Sequence, residues 1–102
     1  EAGVALDSNN VVWSNTTICH DTCVGSHNFI AANTTVGGGV KIGDENFFGF
    51  STVIKENLDI GNCSLVGTGS LVIDNIANLT KVFGAPATSV GRIDAVLGVC
   101  ID

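Results

Sequence analysis

Every sixth residue from Leu6 is apolar: Leu6, Val12, Ile18, Val24, Ile30, Val36, Ile42, Phe48, Ile54, Ile60, Val66 and Val72, twelve in a row without an insertion. With 45% of residues apolar, chance yields such a run roughly once in ten thousand trials for a given phase. A small residue often stands two positions earlier (Thr16, Thr22, Thr34, Thr52, Ser64, Ser70), and Gly follows the aliphatic six times. A helix would need apolar residues at a 3.6 period, which is missing. The pattern instead runs in, out, in, as in Thr34-Thr35-Val36, and then turns. Short strands joined by tight turns are therefore predicted. Gly after each strand is expected to supply turn dihedrals that other residues avoid. Three units make a triangular coil of 18 residues, and coils stack at ~4.8 Å, the strand spacing. The prediction is an all-β chain: a parallel β-helix of about four triangular coils over residues 1–76, closed by a short loop and tail over 77–102.

Stacking sorts the residues into columns. Ile18, Val36, Ile54 and Val72 form one inward column, and Leu6, Val24, Ile42 and Ile60 another. The residue before each aliphatic points outward. One face carries Val11, Phe29, Phe47 and Leu65, all apolar. Such a contiguous stripe marks an interface, so this face is expected to pack against neighbouring subunits, with ordinary surface hydrophobes or cover by the C-terminal tail as the alternatives. A second face, Thr17, Thr35, Val53 and Leu71, is mixed. The third, Ala5, Cys23, Lys41 and Asp59, suits solvent.

Charge narrows the classes of function. Lys and Arg total four and the net charge is −6, which excludes the clustered cations of a nucleic-acid surface and opposes an anionic membrane. No apolar run reaches the length of a membrane span, and no basic-then-apolar leader opens the chain. No Met occurs, so the chain is expected to be an excised piece of a longer protein, with a processed form as the alternative. Cys19, Cys23, Cys63 and Cys100 show neither a C-x-x-C pair nor zinc spacing. They read as free thiols, with a cytoplasmic location expected. Sequons at Asn15, Asn33, Asn62 and Asn78 arise easily in a Thr- and Asn-rich repeat and carry little weight.

The corners hold the candidate chemistry. One corner stacks Cys19-His20-Asp21, Gly37-Gly38-Gly39, Lys55-Glu56-Asn57 and Ile73-Asp74-Asn75. Three glycines directly after the His20 coil predict a notch free of side chains, with backbone N–H groups able to hold an oxyanion; easing of the turn is the plainer account. Acyl transfer from a thioester needs a nucleophile, a proton acceptor and an oxyanion donor. The acceptor's own hydroxyl or amine can be the nucleophile, and His best accepts a proton near neutral pH. His20 is the candidate general base and Asp21 its partner, fixing the tautomer. His27 falls on another corner, with Glu45 and Cys63 stacked beyond it.

The tandem unit over residues 4–76 (aliphatic, Gly, two variable residues, a small Ser, Thr or Ala, one more variable residue) resembles the hexapeptide-repeat acyltransferases. The resemblance implies a left-handed β-helix and a homotrimer. Val82-Phe83-Gly84-Ala85-Pro86-Ala87 is similar to the V-x-G-x-P-A loop that ends many such domains. Ile18-Cys19-His20-Asp21-Thr22-Cys23-Val24-Gly25 is similar to a segment of the NeuD/PglD-like sugar acyltransferases. Those enzymes acetylate hydroxyl or amino groups of bacterial surface-sugar precursors, often nucleotide-linked, and usually carry an N-terminal α/β sugar-binding domain. The resemblance further implies acetyl-CoA lying between adjacent subunits, with Gly38, Gly49, Phe50, Gly67, Thr68 and Pro86 at matching positions, and no metal. Relatives often have a second His directly before the next aliphatic; Phe29 stands there, which removes one donor contact.

Three other readings compete. A non-catalytic trimerisation or binding module would need only the repeat. A γ-class carbonic anhydrase uses the same fold with three zinc-binding histidines, and two histidines on different corners do not readily supply them. Ice binding needs aligned Thr ladders, and Thr17 and Thr35 give way to Val53 and Leu71, so that reading is rejected.

Overall fold

A computed structural model describes residues 3–94 and 99–100. Twelve two-residue strands follow one another at the predicted sixfold spacing. Sheet A holds β1 (Ala5–Leu6), β4 (Cys23–Val24), β7 (Lys41–Ile42) and β10 (Asp59–Ile60). Sheet C holds β3 (Thr17–Ile18), β6 (Thr35–Val36), β9 (Val53–Ile54) and β12 (Leu71–Val72). Sheet B begins with β2 (Val11–Val12), β5 (Phe29–Ile30), β8 (Phe47–Phe48) and β11 (Leu65–Val66), and continues through β13 (Thr80–Gly84), β14 (Ala87–Asp94) and β15 (Val99–Cys100). Within the helix every pairing is parallel, as in Thr17↔Thr35, Cys23↔Lys41 and Phe29↔Phe47. The architecture is a left-handed β-helix of about four coils.

The inward columns make the core. Ile30, Val36, Phe48 and Val66 have no exposed surface, and Val24, Ile42, Ile54, Ile60 and Val72 are buried with them. The first coil differs. Leu6 is 51% exposed and Val12 39%.

Burying the small residues before each aliphatic strands polar atoms, which must find partners. Thr22, Thr34 and Thr52 donate their hydroxyls to the carbonyls of Gly37 (2.9 Å), Ala31 (2.8 Å) and Gly49 (2.8 Å). The third internal column is Asn10, Asn28, Asn46 and Ser64. Each Asn Oδ1 accepts the backbone N–H of the next member, from Asn28 (2.9 Å), Asn46 (2.9 Å) and Ser64 (2.8 Å). Asn28 Nδ2 donates to Gly43 O (2.9 Å) and Asn46 Nδ2 to Gly61 O (2.8 Å).

The turns correct one expectation. The left-handed residue is the third after the aliphatic, not the first: Asn9, Asn15, Asp21, His27, Asn33, Glu45, Ser51, Asn57 and Cys63 all have φ between 56° and 62°. Asn and Asp tolerate this region better than most residues, which explains their frequency there. Gly25, Gly37, Gly43, Gly49, Gly61 and Gly67 have ordinary φ. Their need is space. A Cβ at Gly49 would stand 2.6 Å from Thr68 N, and one at Gly43 2.7 Å from Gly61 O, so neighbouring backbones approach too closely for a side chain.

The closing segment adds a strand. After β12 the chain shortens its circuit, so β13 joins β11 in parallel with Leu65↔Lys81, a step of 16 residues where full coils step 18. It then turns through a cis Ala85–Pro86 bond and pairs antiparallel with β14.

Candidate functional site

The corner between sheets C and A opens into a cleft of about 590 Å³, lined by Cys19, His20, Asp21, Thr35, Gly37, Gly38, Gly39, Val53, Ile54, Glu56 and Asn57. The 18-residue register makes the corner three short columns: Cys19–Gly37–Lys55, His20–Gly38–Glu56 and Asp21–Gly39–Asn57. The middle coil contributes only backbone, so it forms the floor and the flanking coils form the walls.

The three glycines have three separate reasons. Gly37 lies where a Cβ would stand 2.7 Å from Glu56 N, so the next coil needs it bare. Gly39 is the left-handed residue of its turn, with φ +70°. Gly38 has an ordinary φ, and the nearest backbone atom to a Cβ there would be His20 O at 3.2 Å. A Cβ there would stand 2.8 Å from His20 Cε1 and 3.0 Å from Nε2, so its bareness lets the imidazole lie against the floor. Gly37 N–H donates to Ile54 O (2.8 Å) and Gly39 N–H to His20 O (2.9 Å). Among the described residues Gly38 N–H has no acceptor. Of the three glycines it is the one left free, and the N–H groups of His20 and Glu56, at the same turn position on the flanking coils, likewise have no acceptor among the described residues.

His20 and Asp21 adjoin in space as in sequence. His20 Nδ1 lies 3.3 Å from Asp21 Oδ2, with side chains 68% and 76% exposed. A pair this exposed contributes little to stability; its effect is orientation. With Nδ1 engaged, Nε2 is the nitrogen left facing the notch. The arrangement offers a proton acceptor and an N–H donor on two adjacent coils.

The other sequence-nominated residues lie elsewhere. Gly49, Phe50, Gly67 and Thr68 sit at the corner between sheets B and C, and Pro86 in the β13–β14 turn. They do not join the His20 cleft, yet both corners border the outer face of sheet C, where Val53 (42%) and Leu71 (38%) are exposed. The bare space at Gly49 is taken up by Thr68 N, and that at Gly67 by the Phe83 ring. His27 is on the corner between sheets A and B, with Glu45 and Cys63. Burial, then the carboxylates of Glu45 and Asp44, push the Cys63 thiol above its ordinary value. Among the described residues, no three His, Cys, Asp or Glu gather as a metal would require. Thr35, Val53, Glu56 and Asn57 were not named as site residues from the sequence, although the 18-residue register places Glu56 and Asn57 on the His20 corner.

A second surface feature lies on sheet B. The Phe29 and Phe47 rings stack at 5.0 Å, Trp13 tilts against Phe29 at 5.6 Å, and Phe50 meets Trp13 edge-on at 5.9 Å. Phe47 is 42% exposed and Trp13 48%.

No family model and no curated protein matches this sequence. Solved structures do. A serine acetyltransferase of Neisseria gonorrhoeae has a TM-score of 0.85 at 25% identity, over 88% of this chain and 39% of that one. The serine acetyltransferase of Brucella abortus strain S19 in complex with coenzyme A gives 0.80 at 22%, over 88% and 40%. A mutant perosamine N-acetyltransferase of Caulobacter crescentus, in complex with CoA and GDP-perosamine, gives 0.72 at 21%, over 90% and 52%. The chain thus spans only about two fifths to one half of the neighbours it matches. What it shares with these acetyltransferases is the left-handed β-helix itself.

Proposed function

We propose that this chain is the catalytic part of an acetyltransferase that moves an acetyl group from acetyl-CoA to a hydroxyl or amine of a sugar. The acceptor is a nucleotide sugar or surface-polysaccharide precursor, as in the NeuD/PglD-like enzymes. The observation that carries the reading is His20 lying on Gly38, with Nδ1 held by Asp21 and one unpaired N–H beside it. Two of the fold neighbours are complexes with CoA, which supports this donor.

His20 Nε2 takes the proton of the attacking hydroxyl or amine. Asp21 holds the reactive tautomer and stabilises the imidazolium. The Gly38 N–H donates to the oxyanion that develops on the thioester carbonyl, a contribution that grows in the transition state. Collapse releases the thiolate, which recovers the proton from His20. The bare floor of the notch gives an acyl thioester room to lie beside the ring. Donor contacts come from Gly38, Gly49, Phe50, Gly67, Thr68 and Pro86 across adjacent subunits of a homotrimer. That trimer packs through the face of Val11, Phe29, Phe47 and Leu65, and the enzyme works in the cytoplasm without a metal.

Thiol release from acetyl-CoA, measured for the wild type and His20→Ala, tests this. A loss of about 10²-fold or more is the expected size for a general base; unchanged turnover removes His20 from its role. The stacked Phe29–Phe47 pair favours a second reading, a trimerisation module without catalysis. In that case neither protein releases thiol.

A further inference from the structure

The cleft has an unused wall. His20 and Glu56 occupy the same corner position two coils apart, with bare Gly38 between them. Two strand spacings put their backbones about 10 Å apart, so both side chains border one gap. The carboxyl groups lining the gap are those of Asp21 and Glu56, and among the described residues no Lys or Arg lines it. Lys55 is the competing cation: its Nζ lies 3.5 Å from Glu56 Oε1, with the two side chains 54% and 59% exposed. So exposed a pair is weak and easily exchanged for another cation.

Resting on the transferase reading, we infer that Glu56 selects a cationic acceptor group, so that the cleft acetylates amines in preference to hydroxyls. The acceptor enters as an ammonium, steered between the Glu56 and Asp21 carboxylates. It loses one proton to solvent, which leaves a neutral amine. The amine lone pair forms the C–N bond to the thioester carbon while His20 Nε2 takes a second proton. The C–S bond breaks, and the departing thiolate is protonated by the imidazolium. The products are an amide, free CoA and one proton. A hydroxyl acceptor has no charge for Glu56 to hold, and an anionic group at the reacting end is repelled. The phosphates of a nucleotide-linked acceptor would therefore lie outside this cleft, with only the amine end inside.

The test compares glucosamine with glucose as acceptor probes, reading thiol release and the mass of the product. The full chain is used as wild type, Glu56→Gln and Lys55→Ala. Glucosamine is expected to be preferred. Glu56→Gln should raise its KM about fivefold, the scale of an exposed ion pair, and so narrow the preference for glucosamine over glucose. Lys55→Ala should lower the glucosamine KM by removing the competitor, which simple damage to the fold would not do. Equal use of both probes, or a glucosamine KM indifferent to both substitutions, overturns the inference while the transferase reading stands. No thiol release with either probe in any protein overturns the transferase reading, and the inference falls with it.

Discussion

The imidazole of His20 rests on Gly38, whose missing Cβ would otherwise stand 2.8 Å from Cε1. Gly38→Ala should therefore displace the ring with little effect on the fold, because φ at residue 38 is ordinary. A displacement of about 1 Å in a catalytic group can cost on the order of 10²-fold in rate. Gly49→Ala is the contrasting variant: its Cβ would meet Thr68 N at 2.6 Å, a backbone atom that cannot swing away. Gly49→Ala should lose about 1–3 kcal/mol of stability by overpacking. Thiol-release assays with urea unfolding of both variants check the pair, and equal loss of stability would contradict the distinction.

The asparagine column gives a second prediction. Asn46 is 2% exposed and bonds Ser64 N–H and Gly61 O. Asn46→Ala strands both backbone groups, each costing about 1–3 kcal/mol. Urea unfolding of the variant is expected to shift by the sum of the two, well beyond the effect of a surface substitution.

The Cys63 thiol titrates above its ordinary value, through burial first and then the charges of Glu45 and Asp44. The folded state thus holds this proton more tightly than the unfolded chain. Its stabilising contribution is full below the unfolded thiol value, about 8.5, and is lost as pH rises through the higher folded value. Iodoacetamide at pH 7 should label exposed Cys23 well before Cys63, since the thiolate is the reacting form. Glu45→Gln should speed Cys63 labelling, and mass mapping of the alkylated peptides reads both results.

The stacked rings of Phe29 and Phe47 predict the assembly. Phe29→Asp places a charge in the aromatic cluster, and sedimentation should show a trimer for the wild type and a smaller species for the variant. Coil stacking, read by circular dichroism, is expected to survive because Phe29 points out of the core. A wild type that sediments as a monomer would remove the subunit-contact role of this face.

Much of this molecule is legible from its spacing. A sixfold apolar repeat without an insertion admits one economical packing, so the columns, the three faces and the position of His20 beside three glycines all follow from counting. Counting assigns neighbours and is silent on how closely they approach. It placed the turn strain on the glycine after each strand, whereas the structure puts the left-handed residue two places later and reserves that glycine for close backbone contact. It treated the twelve aliphatics alike, although Leu6 and Val12 lie open while those from Val24 onward are buried. The register already contained the alignment of Glu56 with His20, but nothing in composition singled it out.

The repeat by itself therefore determined the parallel β-helix and its columns, because a sixfold apolar pattern with a turn after each short strand stacks the inward side chains coil upon coil. Only the tertiary structure decided the rest: that Gly38 is bare for the imidazole, that its N–H stays unpaired among the described residues, and that residues 80–84 add a strand where the repeat has ended. Those outcomes depend on distances of a few tenths of an ångström and on which backbone groups the adjacent coil has already used, and neither is encoded in spacing.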